Sequence, residues 1–523
     1  MAKPSQIPEG IEADPSVLAM FEAFGPKYVW LAVFTSMLGS FSTLLAGTII
    51  NVAIPEIMGA FGIGQDKAQW LSTGFLAAGT VTMLLTSWCI QALGMRVTYI
   101  TAMSIFLGGS IIGGLAPNPE LLIFSRIITG AAAGIMGPIA MVLTFQIFPV
   151  KSRGFAMGIF GIGVVLAPAL GPALGGYLID HFNWRYVFFL AIPFSIISIP
   201  FALVFMPQRD SSEKPEPLDW FGFILCSIFL ITILTALTDG IKEGWYSSYT
   251  IGLFGISFIS FVSFIWWESV VNKPLLDLRI FTYGAFLASA IVTFIVGIGL
   301  YGSTYLVPLF LQNMQGIMPT NSGLLMLPAG IAMALCFPLG GALSDRVQPA
   351  IVIFIGLLIF GISSWFMRTI DIDTSYGSVL MWALLGRIGL AFIFPSLNVA
   401  SMSSLPPSML SQGSGAVNFL RQLGGAFGVN FLSIHLTQSS YTHAHNLTLA
   451  ASPLTLDVLT QLQDKIFNNH LGYILQLPSS FGFVSSAIYT EALTMAFQEG
   501  FILIALVFFA ALIPTCFMRI SRN

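Results

Sequence analysis

Three arginines interrupt sequence that is otherwise apolar: Arg126, Arg387 and Arg421. A guanidinium stays charged at any ordinary pH, and placing one uncompensated at the centre of a bilayer costs about 2.5 kcal/mol or more. Each must face a cavity, a helix-end carbonyl or a ligand. Carboxylates that could answer them are missing from the middle of the first six apolar segments. Asp180, Asp219, Asp239 and Glu268 fall at segment ends, and Glu499 falls near the end of the last. Buried cations without buried anions favour an anionic or zwitterionic amphiphile over a cation as ligand. Tyr301, Tyr305, Gln312, Phe394 and Asn398 group in the same two apolar segments and offer aromatic and amide groups for the rest of a cavity. Helix packing is the competing role for every one of these residues.

Other chemistry finds little material. There is no Walker loop, no zinc-ligand spacing, no Gly-x-Ser-x-Gly elbow and no histidine paired with a carboxylate within an apolar segment. The chain is not expected to be an enzyme, nor to carry a cofactor or a metal. Cys89, Cys226, Cys336 and Cys516 lie in apolar segments without close pairing. His443 and His445, two apart in Tyr-Thr-His-Ala-His, read as solvated side chains.

The elements that must position these residues follow from composition. Of 523 residues, 56% are hydrophobic and 8% charged, against about 25% charged in a soluble chain. Apolar runs of roughly 20 residues, each able to cross a hydrocarbon core of about 30 Å, recur from Val29 onward. The expected fold is an all-α polytopic membrane protein of about fourteen transmembrane helices. A polar tail over 1–28 leads into six segments over 29–206. A charged, proline-bearing linker follows at 207–219, then two additional segments over 220–271 and a polar stretch at 272–284. Six more occupy 285–518, with a long outer loop at 437–491, and 519–523 form a short tail. Lys and Arg concentrate on the side of the termini, in residues such as Arg96, Lys151, Arg153, Arg209, Lys214, Lys273 and Arg279, which places both ends in the cytoplasm. A net charge of −3 gives no reason to expect nucleic acid. Within the outer loop, Leu454 to Phe467 has helical spacing suited to a membrane surface or a partner.

Several motifs sit at particular places in this layout. Asn51-Val-Ala-Ile-Pro55 closes the first segment; Arg126, Gly130, Gly134, Gly137 and Pro138 punctuate the fourth. Gly163, Pro168, Gly171, Pro172, Gly175 and Gly176 run along the fifth. Asn183-Trp-Arg-Tyr, Leu218-Asp-Trp and Lys273-Pro-Leu-Leu-Asp-Leu-Arg-Ile-Phe281 precede the sixth, seventh and ninth. Gly341-Ala-Leu-Ser-Asp345-Arg346 follows the tenth and Arg421-Gln-Leu-Gly-Gly425 lies in the thirteenth. Together these resemble the fourteen-span drug:proton antiporter branch of the major facilitator superfamily, EmrB type. The resemblance implies two six-helix bundles plus two extra central helices, in a bacterial inner membrane. It also implies a secondary exporter of multidrug or amphiphilic organic substrates working by alternating access. The glycines and prolines of the fifth segment mark exporters in that family. Small residues permit close helix approach and prolines permit bending, so this stripe is expected at the interface between the halves. Asp345 and Arg346 match the family's loop motif, which implies a gating role.

Two departures from the family pattern stand out. Ser87, Gln91, Gly94 and Arg96 occupy the first-half copy of the loop motif, so its acidic residue is missing. Ala46 stands where proton-coupled members carry an Asp, five residues before Asn51. Arg126 and Arg421 match family motifs, whereas Arg387 matches none and is the stronger candidate substrate determinant. Glu499 remains a candidate coupling group. An importer or siderophore carrier, and a non-transporting scaffold, are the alternative readings. The resemblance further implies a periplasmic adaptor and an outer-membrane channel as partners.

Overall fold

A computed structural model describes residues 15–208, 217–450 and 478–518. Its fourteen long helices are α1 (Tyr28–Phe61), α2 (Gln65–Leu93), α3 (Met95–Leu115), α4 (Pro119–Ile147), α5 (Arg153–His181), α6 (Ala191–Phe205), α7 (Trp220–Glu243), α8 (Ser248–Val270), α9 (Gly284–Asn313), α10 (Pro319–Arg346), α11 (Pro349–Phe366), α12 (Tyr376–Ser403), α13 (Leu410–Ala450) and α14 (Pro478–Ala510). Among the described residues, thirteen candidate spans are long and apolar enough to cross a membrane. The helix left out is α13, where Gln412, Asn418, Arg421, Gln422 and Asn430 dilute the apolar sequence.

Local chemistry sets the boundaries. The Asn118 side chain accepts the Leu121 N–H at 2.9 Å, and Pro119 occupies the first turn of α4, where its missing N–H costs nothing. Gly62 ends α1 with φ at 61°, a conformation that suits a residue without Cβ. The Leu218-Asp-Trp motif is a cap: Asp219 accepts the Gly222 N–H and the Trp267 indole N–H, each at 2.9 Å, and so ties α7 to α8. In the Asn-Trp-Arg-Tyr motif, Arg185 donates to the carbonyls of Gly114 and Ala116 at the end of α3 and rests on the Trp184 ring.

The chain folds into two bundles with one pairing scheme. In the first, α1 packs on α5, α2 on α4, and α3 on both α4 and α6; in the second, α9 packs on α13, α10 on α12, and α11 on both α12 and α14. An offset of eight helices maps one bundle onto the other, which is the signature of an internal repeat. The contacts between bundles obey the same mapping. Helix α5 packs on α10, and its counterpart α13 packs on α2. The added pair breaks this symmetry, because α7 touches α2 and α13 and so covers that seam alone.

Two expectations change here. The segment 437–491, read as an outer loop, is helical through Ala450 and again from Pro478. Hydropathy locates lipid-crossing sequence, but helices run on where polar residues still keep helical bonding. At 41 residues α13 is about 60 Å long, roughly twice the hydrocarbon thickness. Leu454 to Phe467 lies outside the described residues. The second change concerns the fifth-segment stripe, described with the site.

Candidate functional site

Close approach at the seam between bundles is made by glycines that precede the stripe. A Cβ at Gly154 would lie 2.3 Å from the Gly341 carbonyl, and one at Gly158 would lie 2.6 Å from that of Phe337. Gly161 abuts the Phe337 ring. Gly163, Gly171 and Gly175 instead face α1 of their own bundle, against Met37, Thr48 and Ile49, and Gly176 meets nothing within 4 Å. Pro168 and Pro172 lie within the uninterrupted helix α5. Gly163, Gly171 and Gly175 thus pack α5 onto α1 of their own bundle, on a different side of the helix from Gly154, Gly158 and Gly161, while Ile162 and Val165 still pack against the core of the second bundle.

Asp345 closes this seam. Its carboxylate accepts the backbone N–H groups of Gly154 at 2.7 Å and Phe155 at 2.9 Å, the exposed donors at the start of α5. Arg346 ends α10 on the solvent side. At the symmetry-related seam, Gln91 donates to Ser87 on its own helix, and Ser87 meets Ser411 at 3.5 Å. The degraded first-half motif therefore yields a neutral contact where the second half has a charged cap. Ser414 adds a hydrogen bond to the Pro138 carbonyl at 3.0 Å. These bonds lie at the end of the molecule that carries the linker, where α4, α6 and α10 finish and α5, α7 and α13 begin.

Deeper along α13, Arg421 gathers several of the residues singled out in sequence. Its guanidinium donates to Asn398 Oδ1 at 2.7 Å and to Asn418 Oδ1 at 3.4 Å, and stacks over the Phe394 ring at 4.9 Å. Tyr301 stands beside it, its ring against Gly425 and its hydroxyl donating to Gln422 at 2.9 Å. Asn418 reaches the first bundle, with its amide 3.6 Å from Met141 Sδ. The cluster therefore sits where the two bundles meet. Arg421 Nε is buried without a hydrogen-bond partner, and no carboxylate pairs with this guanidinium among the described residues. Asn418 and Gln422 were missed in sequence. Their three- and four-residue spacing along one polar helix face was the available signal.

The other candidates lie elsewhere. Arg126 is 2% exposed within the first bundle, where its Nε donates to the Leu71 carbonyl at 3.0 Å and its guanidinium lies over Phe75. Arg387 donates to Thr304 at 2.7 Å and lines a small cavity with Ser303, Phe360 and Ser363, apart from the Arg421 cluster. Tyr305 packs against the core of the second bundle. Asn51 accepts a hydrogen bond from Ser72 at 2.7 Å, between α1 and α2. Ala46, on α1, is buried in an apolar core cluster. Glu499, on α14, faces α13 and contacts His435, Ser439 and His443.

Two repeated six-helix bundles, joined at glycine-lined seams around a polar cluster, are the architecture of a multi-pass membrane carrier. The chain belongs to the Major Facilitator Superfamily, whose family description matches residues 36–429. It is 30% identical to the "Uncharacterized MFS-type transporter YhcA" of Bacillus subtilis (strain 168), over 93% of this chain and 92% of that protein. It is 27% identical to the "Probable multidrug resistance protein EmrY" of Escherichia coli (strain K12), over 92% of this chain and 93% of that one. It is likewise 27% identical to the "Colistin resistance protein EmrB" of Acinetobacter baumannii, over 95% and 97%. The human organic anion transporter MFSD10 (TETRAN) shares its fold, with a TM-score of 0.59 at 15% identity over 94% of this chain and 99% of that one.

Proposed function

We propose that the protein is a secondary exporter of amphiphilic organic compounds, and that Arg421 is its principal determinant for anionic substrates. The observation that carries this reading is a guanidinium at the meeting of the two bundles, held by neutral groups alone with one N–H unsatisfied. A carboxylate or sulfonate entering there gains a charge-assisted hydrogen bond, worth about 1.5–3 kcal/mol. The names of the multidrug and colistin resistance relatives support export. With both termini assigned to the cytoplasm, as the positive-inside count favours, the joined linker end faces inward. The bacterial inner membrane is the corresponding location. Enzyme activity forms no part of this reading.

The reading is tested in proteoliposomes by comparing a fluorescent fatty acid with a lipophilic cationic dye. Arg421→Gln is expected to weaken uptake of the fatty acid by about tenfold or more, with little change for the dye. Equal handling of both probes by wild type, or no effect of the substitution, sinks the anionic preference. If neither probe moves and deletion causes only a growth requirement, the importer reading takes its place. An adaptor would dock on the helical extensions of α13 and α14 and the residues between them. An adaptor pull-down unchanged by deletion of 454–467 removes that surface.

A further inference from the structure

Between α13 and α14, on the side of Arg421 away from the linker end, lies a cluster of titratable groups that the carrier reading leaves unused. His435, Ser439 and His443 are each four residues apart, which puts them on one face of α13. All three converge on one carboxylate of α14. His443 Nε2 is 2.9 Å from Glu499 Oε1, His435 Nε2 is 3.2 Å from Glu499 Oε2, and the Ser439 hydroxyl donates to the same Oε2. The carboxylate is 40% exposed and the imidazoles 27% and 25%; the His435 Nε2 that faces the carboxylate is itself buried and forms no hydrogen bond, so the exposed part of the cluster lies at Glu499 and His443.

No other cation answers Glu499 among the described residues. Helices α9 and α11 pack against α14, and neither contains an Asp, Glu, Lys, Arg or His. Tyr301 and Tyr305 are the titratable side chains of α9, and the hydroxyl of Tyr301 is committed to Gln422. Beside α14, the turn after α11 supplies Arg368, which stacks on Trp365. Among the helices against α13, α12 supplies Arg387, bonded to Thr304, α4 supplies Glu120 and Arg126, the latter held by Leu71 and Phe75, and α2 supplies Lys67, which pairs with Glu120. Helix α7 carries Asp239, Lys242 and Glu243, and α14 also carries Glu491. Among the described side chains, Glu499 is met by His435 and His443 as its cation-forming partners, and histidine is the side chain that ordinarily changes charge between pH 5 and 8.

We propose that Glu499, His435 and His443 form a proton-binding site loaded from the outer side, supplying the titratable group that Ala46 cannot. A proton from the outer aqueous phase binds an imidazole nitrogen, and the resulting imidazolium pairs with the Glu499 carboxylate. Releasing it returns a neutral imidazole and leaves the carboxylate without a cation. The state of the site sets how firmly α13 is held to α14. Helix α13 also carries Arg421, fourteen positions away and about 21 Å along the same axis. One helix thus bears both the proton site and the substrate arginine. The role of this site in transport rests on the exporter reading, whereas proton binding itself does not.

The experiment has two arms on full-length protein in liposomes. In the first, infrared difference spectra between pH 5 and pH 8 are recorded without substrate, a range spanning ordinary histidine titration. Wild type is expected to show imidazolium and carboxylate bands that vanish in both Glu499→Gln and the His435→Gln/His443→Gln double variant. Spectra identical to wild type in those variants overturn the proposal. In the second arm, the fluorescent fatty acid is followed under an imposed pH gradient and in counterflow at equal pH. Glu499→Gln is expected to lose gradient-driven accumulation by about tenfold or more while counterflow stays within about threefold. Unchanged accumulation, or loss of both activities together, overturns the coupling role. Failure of wild type to move any probe removes the exporter reading, and the infrared arm alone then decides whether the site binds protons.

Discussion

Arg421 and Arg126 are both arginines in apolar helices, but their surroundings assign them different work. Each keeps one buried N–H without a partner, but Arg126 is held by a carbonyl and a ring inside its own bundle, whereas Arg421 sits among neutral groups where the two bundles meet. The difference predicts a separation by charge and by shape. Arg421→Lys keeps the charge but loses the planar stack on Phe394 and the paired donors, so fatty-acid uptake should fall between wild type and Arg421→Gln. Equal activity of the Lys and Gln variants would mean that charge contributes nothing. Glycines give a second contrast at this scale. A Cβ at Gly134 would lie 2.0 Å from the Gly79 backbone oxygen, while one at Gly176 meets nothing within 4 Å. Gly134→Ala should lower stability by about 1–3 kcal/mol, read as a lower melting temperature in detergent, and Gly176→Ala should leave it nearly unchanged.

At the scale of elements, the two seams are built alike but fastened differently. Asp345 holds the start of α5 through two backbone N–H groups, and Gln91 does nothing comparable for the start of α13. Asp345→Asn should weaken the joined state by about 1–2 kcal/mol, since the amide retains one acceptor but no charge. Gln91→Asp should strengthen the other seam by about 0.3–1 kcal/mol by placing a carboxylate near the N-terminus of α13. Distance distributions between spin labels across the linker end check both. The Asn variant should populate the longer distance and the Asp variant the shorter, and movement in the opposite sense refutes the capping account.

For the whole molecule, the bundles must separate at the linker end for the carrier to turn over. Ser87 and Ser411 approach to 3.5 Å across that end. In a background with Cys89, Cys226, Cys336 and Cys516 replaced, the Ser87→Cys/Ser411→Cys pair should crosslink under oxidation, abolish transport and recover with reductant. Full activity of the crosslinked protein would show that this end does not open. Helix α7 touches both α2 and α13, so the added pair rides on one seam and leaves the α5–α10 seam uncovered.

Sequence alone determined the membrane class and the number of long helices, because about 20 apolar residues have one stable arrangement in lipid. Caps such as Asn118-Pro119 and Asp219 are equally local, since each acts within three residues of itself. The ends of α13 and α14 were not legible, because polar residues end an apolar run without ending a helix. Nor was the convergence of His435, Ser439 and His443 on Glu499, which lies 56 residues beyond His443. Whether a glycine faces its own bundle or the other one, as Gly163 and Gly161 do in turn, depends on helix rotation. Only the packing of fourteen helices against one another fixes that rotation.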